Sequence, residues 1–202
     1  MSLTGENLSF SYGATPLIRD YSITLAEGRI LGLHGYSGTG KSTLARLLTG
    51  YLTPTGGRVL VDGAPVAHGT FHPAQLIQQH PERAVDPRWR LSRVVENIDR
   101  DTLDHLGIQP EWLTRRALEV SGGQLQRISI ARALDPRTRY LVADEITTMM
   151  DGLLQADIWA KLVAAVRERN LGMLVVSHDR DLMRHVCDEV IEFDSGIPRE
   201  FK

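Results

Sequence analysis

Gly35-Tyr-Ser-Gly-Thr-Gly-Lys-Ser-Thr43 decides how this chain is read. From Gly35 to Ser42 it keeps the spacing G-x-x-x-x-G-K-[ST]. Just before it, Arg29-Ile-Leu-Gly-Leu-His34 is a short apolar run bounded by glycines, which predicts a buried strand. Just after it, Leu44, Leu47 and Leu48 fall at i, i+3 and i+4, the apolar stripe of a helix. Strand, glycine loop and helix is the setting in which this spacing holds phosphate. The glycines let several backbone N–H groups point inward as an anion nest, and the helix beginning near Lys41 adds the positive end of its dipole. Lys41 brings a mobile cation; at an effective dielectric of 20, one charge pair at 4 Å is worth about 4 kcal/mol. Ser42 offers a hydroxyl to Mg²⁺ and Thr43 a second hydroxyl near the phosphates.

The 202 residues suffice for one domain, or one with a small inserted lobe. Apolar content of 42% and charged content of 24% are ordinary for a globular protein. A net charge of −2 gives no broad nucleic-acid footprint, so no nucleic-acid partner is expected. Cys187 is the single cysteine; an internal disulfide is excluded, and the residue reads as a small buried hydrophobe near the last strand. Neither a signal peptide at Met1–Glu6 nor an apolar run of about 18 residues is present. A role at a membrane would require docking on another protein.

Along the chain, Asn7–Tyr12 alternates polar and apolar residues, Gly13 and Pro16 break the pattern, and Ser22–Ala26 is a second strand. Together they predict an antiparallel opening. Arg58–Asp62 and Ala74–Gln78 read as strands, with Gln79 just beyond. The stretch from about 81 to 135, rich in arginine and containing Trp89 and Trp112, reads as an inserted helical lobe with helices at Leu91–Ile98 and Glu111–Leu118. Ser121-Gly-Gly-Gln124 opens a helix carrying Leu125, Ile128 and Ala131. Arg139–Ala143 runs apolar into Asp144-Glu145, a helix follows at about 152–169, and Met173–Ser177 is a buried strand ending at His178. Asp179–Val186 predicts a short helix, Glu189–Asp194 a last strand and Ser195–Pro198 a turn. Strand–helix alternation makes this half a parallel α/β sheet.

The glycine loop, Gln79, Asp144-Glu145 and His178 all fall at the carboxyl ends of predicted core strands, the edge at which open α/β sheets bind ligands. Taken singly, each has an ordinary structural reading: a loop glutamine, a solvated strand end, a hydrogen-bonded histidine. Tyr12 is either a half-exposed strand aromatic or a surface on which a base stacks. His68, His72 and His80 have no tight metal-ligand spacing.

In this order and around this loop, the motifs resemble those of the ATP-binding subunits of ABC transporters, with Ser121-Gly-Gly-Gln124 as the family's signature. The resemblance runs from Tyr12 to beyond His178. It implies a P-loop ATPase core with a mostly parallel sheet, an N-terminal antiparallel subdomain and an inserted helical subdomain. ATP and Mg²⁺ would be the cofactors. Tyr12 would stack on adenine, and Gly35, Tyr36, Ser37, Gly38, Thr39, Gly40, Lys41, Ser42 and Thr43 would cradle the phosphates. Ser42, Gln79 and Asp144 would serve the metal. Glu145 would be the general base, with His178, Gln79 and Lys41 at the reacting phosphate and Asp151 in the D-loop. Ser121, Gly122, Gly123 and Gln124 would cap the nucleotide of a second ATPase subunit, in a homodimer or a heterodimer. Further implied partners are an integral-membrane permease at the cytoplasmic face and, indirectly, an extracytoplasmic solute-binding protein.

Ile77-Gln-Gln-His-Pro81 with Ala84-Val-Asp-Pro-Arg88 resembles the peptide and nickel importer branch; nickel, a metal chelate or small peptides would be the cargo. Two departures stand out. Ile146 occupies the place of the usual proline, and Thr148-Met-Met-Asp151 that of Ser-Ala-Leu-Asp. The alternative is a non-transport or regulatory ABC ATPase acting on nucleic acid or ribosomes.

Overall fold

The computed structural model describes residues 1–67, 69–148 and 150–194. Strands β1 (Ser2–Tyr12) and β2 (Thr15–Ala26) form an antiparallel hairpin. After β3 (Ile30–His34) and helix α1 (Lys41–Leu48), strand β4 (Gly56–Val61) returns to the free side of β1. The resulting sheet has the order β2-β1-β4. Pro16 does not end the pairing as expected: it lies in β2 opposite Ser11. β2 is an edge strand, where a residue without an N–H is tolerated. β4 ends one residue earlier than predicted because Asp62 and Gly63 adopt φ of 54° and 80°, a pair of left-handed residues that reverses the chain.

The second sheet is parallel. It comprises β5 (Ala74–Ile77), β6 (Tyr140–Asp144), β7 (Gly172–Ser177), β8 (Glu189–Glu192) and β3, in the order β5-β6-β7-β3-β8. Every residue of β6 and β7 is buried, as their apolar runs require of strands covered on both faces. On α1, Leu44, Leu47 and Leu48 are buried as the stripe predicts.

Between β5 and β6 the helices are shorter and more numerous than expected. A 3-10 turn at Pro81–Arg83 precedes α2 (Leu91–Val94), α3 (Arg100–His105) and α4 (Pro110–Leu113); a second 3-10 turn, Ala117–Glu119, leads to α5 (Gly122–Ala133). The helix predicted to reach Ile98 stops at Val95, whose ψ of 25° leaves the helical path. Helix α3 was not anticipated; it starts because Asp99 accepts from Thr102 N at 2.8 Å. The helix predicted to reach Leu118 breaks after Leu113, where Thr114 Oγ1 donates to Glu111 O at 2.9 Å. Leu91, Val95, Leu103 and Ile108 from this region share one apolar cluster with Leu141 and Met173 of the sheet.

Helix α6 (Gly152–Glu168) buries Ile158, Trp159, Leu162, Ala165 and Val166, and α7 (Arg180–Val186) leads to β8, which ends at Glu192 rather than Asp194. Cys187 is half-buried, and burial pushes its thiol up to about 12. The predicted turn at Ser195–Pro198, like Met149 and His68, lies outside the described residues.

A polar junction ties the two sheets. Tyr140, fully buried at the start of β6, donates its hydroxyl to Asp62 Oδ1 at 2.8 Å. Arg139 donates to the other oxygen of Asp62 and, at 3.0 Å, to Glu27. Tyr140→Phe leaves the packing and removes the donor, so urea denaturation should show a loss of about 1–2 kcal/mol in unfolding free energy.

Candidate active site

Loop 35–40 leaves β3 at the carboxyl edge of the parallel sheet and enters α1. Gly38 and Gly40 hold φ of 77° and 105°, which side chains rarely adopt. A Cβ on Gly40 would also stand 3.2 Å from Leu17 Cγ. Leu44 N donates to Gly40 O at 2.9 Å, the first helical bond of α1; the N–H groups before it have no partner inside the helix. Lys41 Nζ donates to Gly35 O and Tyr36 O, both at 2.7 Å, and Thr39 Oγ1 to Tyr36 O at 2.9 Å. The lysine thus lies along its own loop. Tyr36, Ser37 and Gly38 are exposed at the crest, while Thr43 is buried.

Ser42 Oγ donates to Asp144 Oδ1 at 3.1 Å. Asp144 ends β6, two strands away from β3, so this bond spans the sheet edge. Burial pushes the Asp144 carboxyl above the usual carboxylate range. The hydrogen bond from Ser42 and the charges of Arg46 and Lys41 oppose that rise, while the charge of Glu145 adds to it. A hydroxyl and a carboxylate are hard oxygen donors of the kind Mg²⁺ takes, and a cation there would relieve a buried charge. The residues fit that metal.

Glu145 follows with φ of 48°, a left-handed conformation that costs about 1–3 kcal/mol. Its N–H donates to Val176 O at 3.0 Å, and its Oε1 is 3.3 Å from His178 Nδ1 at the end of β7. Thr148 Oγ1 donates to Glu145 O at 2.6 Å and accepts from Gln79 Nε2 at 3.5 Å. Gln79, Thr148, Glu145 and His178 therefore form one polar chain. Glu145, Thr148 and His178 open on a cleft of about 180 Å³ that Trp159 and Leu182 also line. Thr148 is a residue of this group that sequence reasoning missed; it figured there only in the departure Thr148-Met-Met-Asp151.

Tyr12, 51% exposed, meets Phe10 edge-on with ring centroids 4.9 Å apart. It ends β1 beside the start of β2, and Leu17 of β2 touches the glycine loop at Gly40. Tyr12 thus presents a free ring face on the hairpin end next to the loop.

The structure does not draw Ser121–Gln124 into this group. Ser121 N donates to Gln124 Oε1 at 3.0 Å and Gln124 N to Ser121 Oγ at 3.3 Å, a closed capping box at the start of α5. Ser121 and Gly122 are exposed. Gly123 is packed against α6: a Cβ there would stand 2.8 Å from Leu154 Cδ2. Asp151 caps α6 by accepting from Leu154 N at 3.0 Å. Asp151 and the Ser-Gly-Gly-Gln turn are thus linked through Leu154, which Asp151 caps and against which Gly123 packs.

The sequence profile of the ABC transporter family matches residues 18–148. This chain belongs to the ABC transporter family. It is 36% identical to the nickel import ATP-binding protein NikE of Rhodospirillum rubrum, covering 91% of this chain and 74% of that one. It is 34% identical to a probable peptide ABC transporter ATP-binding protein of Sinorhizobium fredii, covering 86% and 55%. A methionine import ATP-binding protein of Pseudomonas syringae is 31% identical, covering 90% and 60%. The chain therefore spans little more than half the length of the last two relatives. Among solved structures, an ATP-binding subunit of an ABC transporter superposes with a TM-score of 0.83 at 20% identity, covering 97% of this chain and 87% of the other. A dimeric ATP-binding cassette bound to ADP and Pi gives 0.80 at 21% identity, covering 99% and 98%. These confirm the ABC ATPase fold: a parallel core with an antiparallel sheet and helices.

Asp144 carries a testable consequence. Its folded-state pKa is raised, so the folded chain binds the proton more tightly than the unfolded chain. Stability from that difference is present below the unfolded pKa and lost as pH rises through the folded one. In nucleotide-free, Mg²⁺-free protein, Asp144→Asn should melt higher than wild type at neutral pH. The gap should close as pH falls through the raised pKa, read from melting curves across the acid range.

Proposed function

We propose that this family member is the ATP-hydrolysing subunit of an importer. The observation that carries the reading is the placement of Glu145, 3.3 Å from His178 and one residue from the buried Asp144 that meets Ser42. In this reading the nest of loop 35–40 and the start of α1 holds the phosphates, with Lys41 turning from its loop carbonyls to them. Tyr12 stacks on adenine. Ser42, Asp144 and Gln79 would hold Mg²⁺, which would neutralise phosphate charge. Glu145 orients a water and accepts its proton, a contribution of about 10²–10⁴ in rate. His178 holds the terminal phosphate in line, and positioning with charge stabilisation supplies most of the remainder.

The Ser121–Gln124 tip belongs to a second subunit's nucleotide. The exposure of Ser121 and Gly122 supports this, as does the 12-residue helix whose N-terminus the tip forms. Asp151 lies on the same mating face. ATP would join two subunits head to tail, and hydrolysis would release them, driving a permease between two states. The lobe at about 81–135 would dock on that permease at the cytoplasmic face, below an extracytoplasmic solute-binding protein. Among the described residues no helix is long and apolar enough to cross a membrane. Nickel, a metal chelate or a small peptide is the proposed cargo, supported by relatives named for nickel and peptide import.

Action on nucleic acid or ribosomes is not favoured: the curated relatives are named as import proteins. A regulatory module with little turnover is not favoured either, since Ile146 is an ordinary core residue at 2% exposure and Glu145 keeps its histidine.

Phosphate release by purified protein with Mg²⁺-ATP tests the reading. Glu145→Gln should reduce turnover about 10²–10⁴-fold while ATP drives the variant into a pair, alone or with its companion subunit. Undiminished turnover in Glu145→Gln would refute it.

A further inference from the structure

Glu145 must hold its left-handed backbone at the end of β6, and such a conformation persists only where its surroundings over-determine it. On the N-terminal side the bond from Glu145 N to Val176 O does this. On the C-terminal side Ile146 has no ring to fix its own φ, as a proline there would.

A different restraint sits one residue further on. Trp159 Nε1 donates to Thr147 Oγ1 at 3.0 Å. Both residues are buried, Thr147 at 4% and Trp159 at 5% exposure. Trp159 lies in the middle of α6, whose neighbouring Ile158 and Leu162 are anchored in the core. The indole therefore reaches from a fixed helix to a segment that has left regular structure. Thr147 in turn accepts from Met150 N at 3.1 Å, and Thr148 grips Glu145 O. Thr147 and Trp159 also line the cleft onto which Glu145 and His178 open.

We propose that the Trp159–Thr147 hydrogen bond is a positioning device for Glu145, holding the segment just after it from a fixed helix. Thr147 and Trp159 are positioning residues and touch no reacting atom. The proposal rests on the reading of Glu145 as the general base. Its chemistry is specific to an indole N–H, because a phenyl ring of similar bulk has no donor. Loss of the bond would leave a buried polar group unpaired and let residues 145–148 sample other conformations. ATP binding, made by the loop at 35–43, would be spared.

The test is steady-state ATP hydrolysis by full-length protein carrying Thr147→Val, Thr147→Ser, Trp159→Phe or Thr147→Val with Trp159→Phe, beside Glu145→Gln. Thr147→Val and Trp159→Phe should each lower kcat about fivefold or more, with KM for ATP within about twofold of wild type. Thr147→Ser keeps the acceptor and should stay within about twofold in kcat. The double variant should lose no more than the worse single one, because both act on one bond. Trp159→Phe keeps a ring in the core and decides the matter even if Thr147→Val does not fold. Wild-type kcat in Trp159→Phe, or equal losses in Thr147→Ser and Thr147→Val, overturns the lock while Glu145→Gln stays inactive. Undiminished turnover in Glu145→Gln overturns the general-base reading and the lock with it.

Discussion

The 3.1 Å bond from Ser42 Oγ to the buried Asp144 carboxylate is the constraint on which the rest depends. It joins the glycine loop after β3 to the end of β6, across β7. A carboxylate at 6% exposure next to the charge of Glu145 is an unfavourable group in a folded chain. It is tolerated because Ser42 donates to it and because Arg46 and Lys41 lie near enough to lower its pKa. That arrangement is poor for stability and suited to a divalent cation. Groups whose environment works against them in this way mark sites of chemistry more often than sites of packing.

Strand order places everything else. In the series β5-β6-β7-β3-β8, neighbouring strand ends bring forward Gln79, Asp144-Glu145, His178 and the glycine loop in turn. Helix α5 covers the exposed side of edge strand β5: Gln126 Nε2 donates to Gln78 O at 3.4 Å, and an Arg132 guanidinium N–H to Leu76 O at 3.2 Å. The helix that begins with Ser121–Gln124 is thereby hydrogen-bonded to the segment carrying Gln79.

Most of this site was legible in the sequence because its parts are local. The loop needs glycines at positions that take positive φ, the apolar runs of β6 and β7 end abruptly in polar residues, and the leucines of α1 keep a helical period. Tyr12 was ambiguous, since a strand-end aromatic looks the same in sequence whether its face is covered or free; in the structure it is 51% exposed, which fits a half-exposed strand aromatic and a stacking surface alike. The region after β5 was read too regularly. Caps such as Asp99 and back-bonded threonines such as Thr114 set its helix ends, and these act over three residues against a diffuse apolar pattern. β2 ran through Pro16 because edge position, a property of the whole sheet, outweighed the local breaker. The Trp159–Thr147 contact was invisible for a similar reason: 12 residues apart, the two meet only through the angle at which α6 packs.

Ser42 and Asp144, with the glycine loop, would form a seat for a metal-bound nucleotide. Equilibrium titration of ATP into the protein, with Mg²⁺ and then with chelator, tests this most directly. Wild-type protein should bind ATP more tightly with Mg²⁺ than without, and Asp144→Asn should lose that difference while keeping its metal-free affinity. An undiminished gain from Mg²⁺ in Asp144→Asn would contradict the account.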